Sequence, residues 1–423
     1  MTSNSVRLPY GDNELSFRVD AGARLIGVYT PHATAAAADP MSIIRQALEQ
    51  PVAAPRLRDS ARGGHSALIL VDDITRETPV HLLVPALLDE LAGAGLPDAG
   101  VRVMIALGTH RPMSDVEVQR KLGRAVTARV EVLQHDHRLA PLRDLGVTPN
   151  GTPVSVNDLL FEVDLVIGTG SVVPHHIAGY SAGAKIVQPG VSGAATTAAT
   201  HMFSARAGTP LLGQVDTAVR ADMERIAAQC NMPYVLNVTL NAAGELVTAT
   251  FGDTQAAFRR AVEDARAIYG VPVPRGVDIV VAGSHPCDIE FWQAQKSLYP
   301  AAMVVRPGGT IIVVTPCPEG VTATHADLLN YAAEPADRII GRYERGETSD
   351  PVGASLAAAW ARVREYAEIV IVSDGISNQD VRALGFTQAE DIEAALEIAR
   401  ARAPSAPSVA VLTHAPDTLP TTS

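Results

Sequence analysis

Ser66-Ala-Leu-Ile-Leu-Val71 runs without a break into Asp72-Asp73-Ile-Thr75-Arg76-Glu-Thr78-Pro79, and this junction decides the fold. An apolar, β-branched run of this length predicts a buried strand. The polar loop after it leads into an amphipathic stretch, Pro79 to Ala92, with Thr78 expected as N-cap and Pro79 at the first helical position. The same succession recurs along the chain. Val101–Leu107, Asp164–Gly168 and Tyr234–Leu240 predict strands, while Met113–Lys121 and Thr217–Gln229 predict helices. Strands alternating with helices imply an α/β architecture with a largely parallel sheet.

Tyr269-Gly-Val-Pro-Val-Pro-Arg-Gly276 is a turn-rich joint, and a second α/β series follows it. Strands are expected at Asp278–Ala282, Thr310–Val314, Ile369–Val372 and Ser408–Leu412, with helices at Phe291–Met303 and Gln388–Arg402. The chain therefore divides at about residue 272 into two α/β domains, 1–272 and 273–423. The first thirty residues suggest a hairpin, Ala33 to Ala38 a loop, and Ala415 to Ser423 a frayed tail.

A chain of 423 residues exceeds one ordinary core. Its net charge of -12 argues against nucleic acid or an anionic membrane as the main partner, though not against a small anion in a local basic pocket. Cys230, Cys287 and Cys317 stand far apart, which disfavours a disulfide framework or zinc ribbon and fits a reducing cytoplasm. Neither a signal peptide nor an apolar run of roughly 20 residues is visible, so a soluble cytoplasmic protein is expected.

Four polar clusters fall where strands end, the place where open α/β sheets bind ligands. The first, Asp73 to Thr78, offers Arg76 and helix-start N–H groups to an anion, although plain capping would use the same residues. The second, Gly108-Thr109-His110-Arg111, aims a histidine off a strand tip. Such a residue suits acid/base work near neutral pH, yet a lone one is more often structural.

The third runs Ser171-Val-Val-Pro-His175-His176-Ile-Ala-Gly179-Tyr-Ser-Ala-Gly183-Ala-Lys185-Ile-Val-Gln-Pro189-Gly190, with His201 beyond it. Its glycines match neither phosphate-loop nor dinucleotide spacing. His176 reads as packing, because neighbouring side chains diverge. The fourth, Glu290-Phe-Trp292-Gln293-Ala-Gln295-Lys296, sets Gln293 and Lys296 on one helical face, which is either a solvated surface or one reaching across the cleft. His135-Asp-His137 reads as a surface turn. His32, His65, His81, His285, His325 and His414 carry no functional expectation.

Taken in order, Asp-x-Thr-Arg-x-Thr-Pro, Gly-Thr-His-Arg and Pro-His-x-x-Ala-Gly-Tyr-Ser…Lys…Pro-Gly…His resemble the nickel-pincer-nucleotide enzymes of the lactate racemase family, over nearly the whole chain. The resemblance implies a pyridinium mononucleotide (pyridinium-3-thioamide-5-thiocarboxylic acid) holding nickel through two sulfurs, a ring carbon and a histidine. It makes Lys185 the anchoring lysine, His201 the nickel ligand, and His110 and His175 the acid/base pair. Asp73, Thr75, Arg76, Gly183 and Trp292 would surround the cofactor, and Arg76, Gln293 and Lys296 the substrate. The implied partners are a small 2-hydroxy acid and the enzymes that make the cofactor; the oligomeric state is not implied. Inverting C2 requires breaking an unactivated C–H bond, and moving hydride to the cofactor avoids a carbanion while a histidine takes the hydroxyl proton.

The chain departs from the family where Trp292 replaces a smaller aromatic and where Ser355 falls at an aromatic position near Ala361-Arg362, with Trp360 out of register. Both changes point to a substrate that is lactate-like or larger. Two other readings use the same residues: a zinc or other divalent-metal hydrolase or lyase with His110, His175 and His201 as ligands, and a non-catalytic carrier of the nickel cofactor.

Overall fold

The computed structural model describes residues 5–421, apart from residue 21 and residues 209–210. Two six-stranded sheets organise it. The first has the order Leu246–Asp253, Tyr234–Leu240, Leu165–Ser171, Ala67–Val71, Val101–Ile105, Glu131–Gln134. All its pairings are parallel except the antiparallel edge of Leu246–Asp253 on Tyr234–Leu240. Every residue of Ala67–Val71 and Tyr234–Leu240 is buried, as expected for strands covered on both faces.

Chain order reverses between Ala67–Val71 and its neighbour Leu165–Ser171. The carboxyl ends of these strands deliver Asp72-Asp73 on one side and Ser171 to His175 on the other. That reversal opens the crevice in which such sheets bind ligands.

The second sheet is wholly parallel, in the order Thr387–Ala389, Glu368–Val372, Val305–Val314, Val277–Gly283, Ser408–Leu412, Arg24–Tyr29. It has its own reversal between Val277–Gly283 and Ser408–Leu412, whose ends lead into Ser284–Asp288 and Thr413–Asp417. The principal helix contact between the two halves is Ala194–Arg206 against Pro351–Tyr366.

Several expectations need correction. Residues assigned to the first domain, Ser5–Arg18 and Arg24–Tyr29, belong to the second: the hairpin packs on that core, and Arg24–Tyr29 forms the edge strand of that sheet. Thr78 does not cap its helix. Pro79 holds that position, because the Thr78 hydroxyl is spent on Asp72 Oδ2 (2.5 Å) and Ser171 Oγ (3.0 Å).

The stretch expected as one helix, Phe291–Met303, is tightened by a 3₁₀ turn at Gln295–Ser297 between Phe291–Ala294 and Leu298–Val304. Its counterpart near the C-terminus starts at Ile392, after the short strand Thr387–Ala389. The tail expected to fray is ordered through Thr421, where Leu419–Thr421 pairs with Gly270–Pro272; Thr422 and Ser423 lie outside the described residues. Among the described residues no helix is long and apolar enough to cross a membrane.

Candidate active site

The two strand-end regions face one another across a cavity walled by Asp73, Arg76, His110, His175, Lys185 and His201 from the first domain and Trp292, Gln293, Lys296 and Leu356 from the second. Three of the four polar clusters meet there by way of the first sheet's reversal, and the fourth closes over them.

His110 follows Gly108, whose φ of +58° turns the chain off the strand end. Its Nδ1 lies 2.6 Å from Asp73 Oδ2. A carboxylate only accepts, so Nδ1 carries the proton and Nε2 keeps its lone pair. Gln293 Nε2 donates to that lone pair across 3.0 Å. Thr75 donates to Asp73 through its hydroxyl (2.5 Å) and its backbone N–H (3.1 Å). Burial pushes the Asp73 carboxyl up, but the adjoining His110, then Arg76 and Thr75, outweigh it and hold the group well below the usual carboxylate range. Asp73 thus fixes the tautomer and orientation of His110.

His175 is arranged oppositely. The backbone N–H groups of Ile177 and Ala178 point at its Nδ1 from 3.2 and 3.4 Å. Nδ1 therefore accepts, and Nε2–H is the edge left for the cavity. Burial, then Lys185 and His176, push its pKa far below the ordinary histidine value. His176 stacks on His175 with ring centroids 5.0 Å apart and on Tyr299 at 3.9 Å.

The loop between His175 and Lys185 is held from below by Arg220. This fully buried guanidinium donates to the carbonyls of Ala178 (3.0 Å), Ala182 (3.3 Å) and Tyr180, and lies 4.2 Å from the Phe258 ring centroid. Gly179, with φ of +75°, passes so close to Gln214 that a Cβ would stand 1.6 Å from its carbonyl oxygen.

Lys185 is partly buried near Arg76, Lys296 and Arg220. Desolvation first, then these cations, drive it far toward the neutral amine. Burial and the nearby Lys185 push the His201 imidazole down to about 3, so it too is neutral and able to ligate. Burial and Arg76 lower Lys296 to about 8. Arg76 Nη1 (3.3 Å) and Lys296 Nζ (2.5 Å) both donate to Gln293 Oε1, so two cations converge on one oxygen. A substrate carboxylate needs that same convergence.

The chain holds only three lysines, Lys121, Lys185 and Lys296. The third of them, Lys121, pairs with Asp72 Oδ1 at 3.0 Å and donates to the Arg76 carbonyl at 2.5 Å, pinning the Asp73–Arg76 loop from behind.

Some expected roles shift. Gly183 does not line the cavity; its Cβ position is filled by the Phe258 ring at 2.8 Å, and its N–H is bonded to Asn237. Thr75 acts through Asp73 and Arg76 and lies behind the wall. Ser355 does not face the cavity: its hydroxyl bonds back to the Val352 carbonyl, and the adjacent Leu356 lines the wall instead. His135 is buried, not a surface turn, with ring contacts to Ser192 O and Asn157.

Sequence reasoning missed Lys121, Arg220, Leu356 and His325. The Asp350-Pro351 helix start was the one local signal that would have placed Leu356 correctly.

Residues 10–209 match the family description "Lactate racemase N-terminal domain", and residues 273–417 match "Lactate racemase C-terminal domain". The lactate racemase of Thermoanaerobacterium thermosaccharolyticum is 27% identical over 408 residues, 93% of this chain and 94% of that one. That of Lactiplantibacillus plantarum is 27% identical over 423 residues, covering 96% and 97%. The solved lactate racemase apoprotein from T. thermosaccharolyticum superposes with a TM-score of 0.87 at 25% identity, covering 99% of this chain and all of that one. A Thermotoga maritima protein shares the fold, with a TM-score of 0.72 at 19% identity, covering 90% of this chain and 98% of its own. Fold, cavity and relatives define the class, a racemase. The chain belongs to the lactate racemase family.

Proposed function

We propose that this chain inverts C2 of a 2-hydroxy acid, lactate-like or larger, with a nickel-pincer nucleotide held between its two domains. One observation carries the reading: Lys185, His201, two further histidines and the converging cations Arg76 and Lys296 wall one cavity, where desolvation disfavours the charged forms of Lys185 and His201. The donor set fits the group. An uncharged Lys185 amine suits a thioamide anchor, and the His201 imidazole suits nickel beside sulfur donors. When bound, the nucleotide supplies the hydride-accepting carbon.

The chain's own residues do the rest. Arg76 and Lys296 hold the substrate carboxylate in place of Gln293 Oε1. His110 Nε2 accepts the hydroxyl proton, and Asp73 stabilises the imidazolium that results. His175 donates a hydrogen bond from its Nε2–H edge to the substrate oxygen, and the proton held on His110 Nε2 returns to that oxygen as the opposite enantiomer forms. Trp292 and Leu356 exclude water and limit the side chain.

A three-histidine zinc site is not favoured: among the described residues no set of three or more His, Cys, Asp or Glu is arranged to hold a metal ion. No observation singles out the carrier reading.

The test is co-expression with the cofactor-making enzymes. A mass addition on the Lys185 peptide, stoichiometric nickel and racemisation in a chirality-sensitive screen of 2-hydroxy acids are expected. A C2-deuterated substrate should show a primary isotope effect with the label kept in product. Failure to take up cofactor, or washout of label into solvent, would overturn the reading.

A further inference from the structure

His325 touches none of the proton-transfer or carboxylate-binding groups, yet it is 3% exposed at the cleft's rim and bound on three sides. Its Nδ1 lies 2.7 Å from Asp350 Oδ2, an acceptor, so that nitrogen donates. The Nε2 lone pair then takes the Thr109 hydroxyl, 3.1 Å away on the opposite domain. The neighbouring Thr324 hydroxyl donates to the Thr109 carbonyl at 3.0 Å. The ring face stacks on Trp292, centroid to centroid 4.1 Å at 17°.

Asp350 has a second duty. Its other oxygen accepts from Gly353 N–H at 2.9 Å and so caps the helix Pro351–Tyr366, whose Leu356 faces the cavity. One imidazole therefore ties the residue before His110, the residue before Gln293, and the helix of Leu356.

We propose that His325, oriented by Asp350, is a positioning residue: it couples the meeting of the two domains to the alignment of His110 with Gln293. The proposal rests on the reading of His110 as the proton-accepting base. Within its own domain the His110 ring is held at Nδ1 by Asp73, and its backbone N–H by the Leu107 carbonyl at 3.0 Å, just after the turn at Gly108. The His325–Thr109 bond adds a side-chain constraint from the other side of the cleft, beside the Thr324–Thr109 and Arg111–Glu319 contacts. An error of about 1 Å in such a base costs roughly 100-fold in rate, so the constraint has kinetic weight.

The test is a cycle of H325A, T109V and the double variant, with H325Q as rescue. Thr109→Val is nearly isosteric and leaves the His325 stack on Trp292 in place, so it reports even where H325A folds poorly. In cofactor-loaded enzyme, H325A and T109V should each lower kcat roughly 10- to 100-fold, with KM for the hydroxy acid changed less than about threefold. The double variant should lose no more than either single one, and H325Q should recover most of the rate. Multiplying losses, or losses confined to melting temperature, would overturn the proposal.

A crystal structure of the H325A apoprotein supplies a readout that needs no turnover. His110 and Gln293 should be parted there from their 3.0 Å contact. Retention of that contact would overturn the proposal even if the wild-type chain racemised nothing. A wild type without turnover whose H325A variant does part the pair would instead overturn the reading of the reaction.

Discussion

Asp73 decides which nitrogen of His110 is free, and that choice makes the ring a base. In Asp73→Asn the amide can donate to Nδ1 and turn the tautomer over, so kcat should fall roughly 10³- to 10⁴-fold while the protein stays folded. Steady-state turnover with a parallel melting curve checks this. The lysines give a second residue-scale prediction. Lys296 stands at about 8 instead of the ordinary 10.5, and an amine reacts when deprotonated, so its labelling in native apoprotein should rise half-way to plateau near pH 8. Peptide mapping after acetylation at graded pH reads this out, and a midpoint above about pH 10 would refute it. The residues legible in the sequence were those sitting inside a local pattern: His110, His175, Lys185. His325 and Lys121 were not, because their partners Thr109 and Asp72 lie far off in sequence and only the fold brings them near.

At the scale of elements, the Ser171–His201 loop depends on backbone that only glycine permits. Gly179→Ala would drive a methyl into the Gln214 backbone at a positive φ, costing about 2–4 kcal/mol. The melting temperature should fall and cofactor uptake with it. The C-terminal turn Ala415–Asp417 makes a different prediction. Burial, then Glu77, pushes the Asp417 carboxyl up to about 7 from 3.8, so the folded chain keeps a proton that the unfolded chain has released. Its contribution is therefore present below about pH 4 and lost as pH rises to about 7. Asp417→Asn should match wild type near pH 4 and melt higher at pH 8. Strands were read well because period and burial are local: Tyr234–Leu240 and Ser408–Leu412 fall where their apolar runs do. Helix starts were read less well, as at Thr78, whose hydroxyl is claimed by partners across the sheet.

The whole molecule is not two consecutive halves. Arg24–Tyr29 completes the second sheet beside Ser408–Leu412, and Val6, Leu8 and Phe17 fill that sheet's core. No linker composition announces such a return, which is why the boundary near residue 272 reads as clean in sequence. Residues 273–423 expressed alone should expose the Ser408–Leu412 edge and aggregate. Residues 5–29 joined to them by a flexible linker should restore a soluble monomer, as size-exclusion chromatography would show. The arrangement also sets a timetable. At about 5–20 residues per second, a ribosome releases the partner of Arg24–Tyr29 roughly 20 to 75 s after that strand itself. Arg24–Tyr29 must wait for a partner made more than 370 residues later, and the second sheet is completed only once Ser408–Leu412 has emerged.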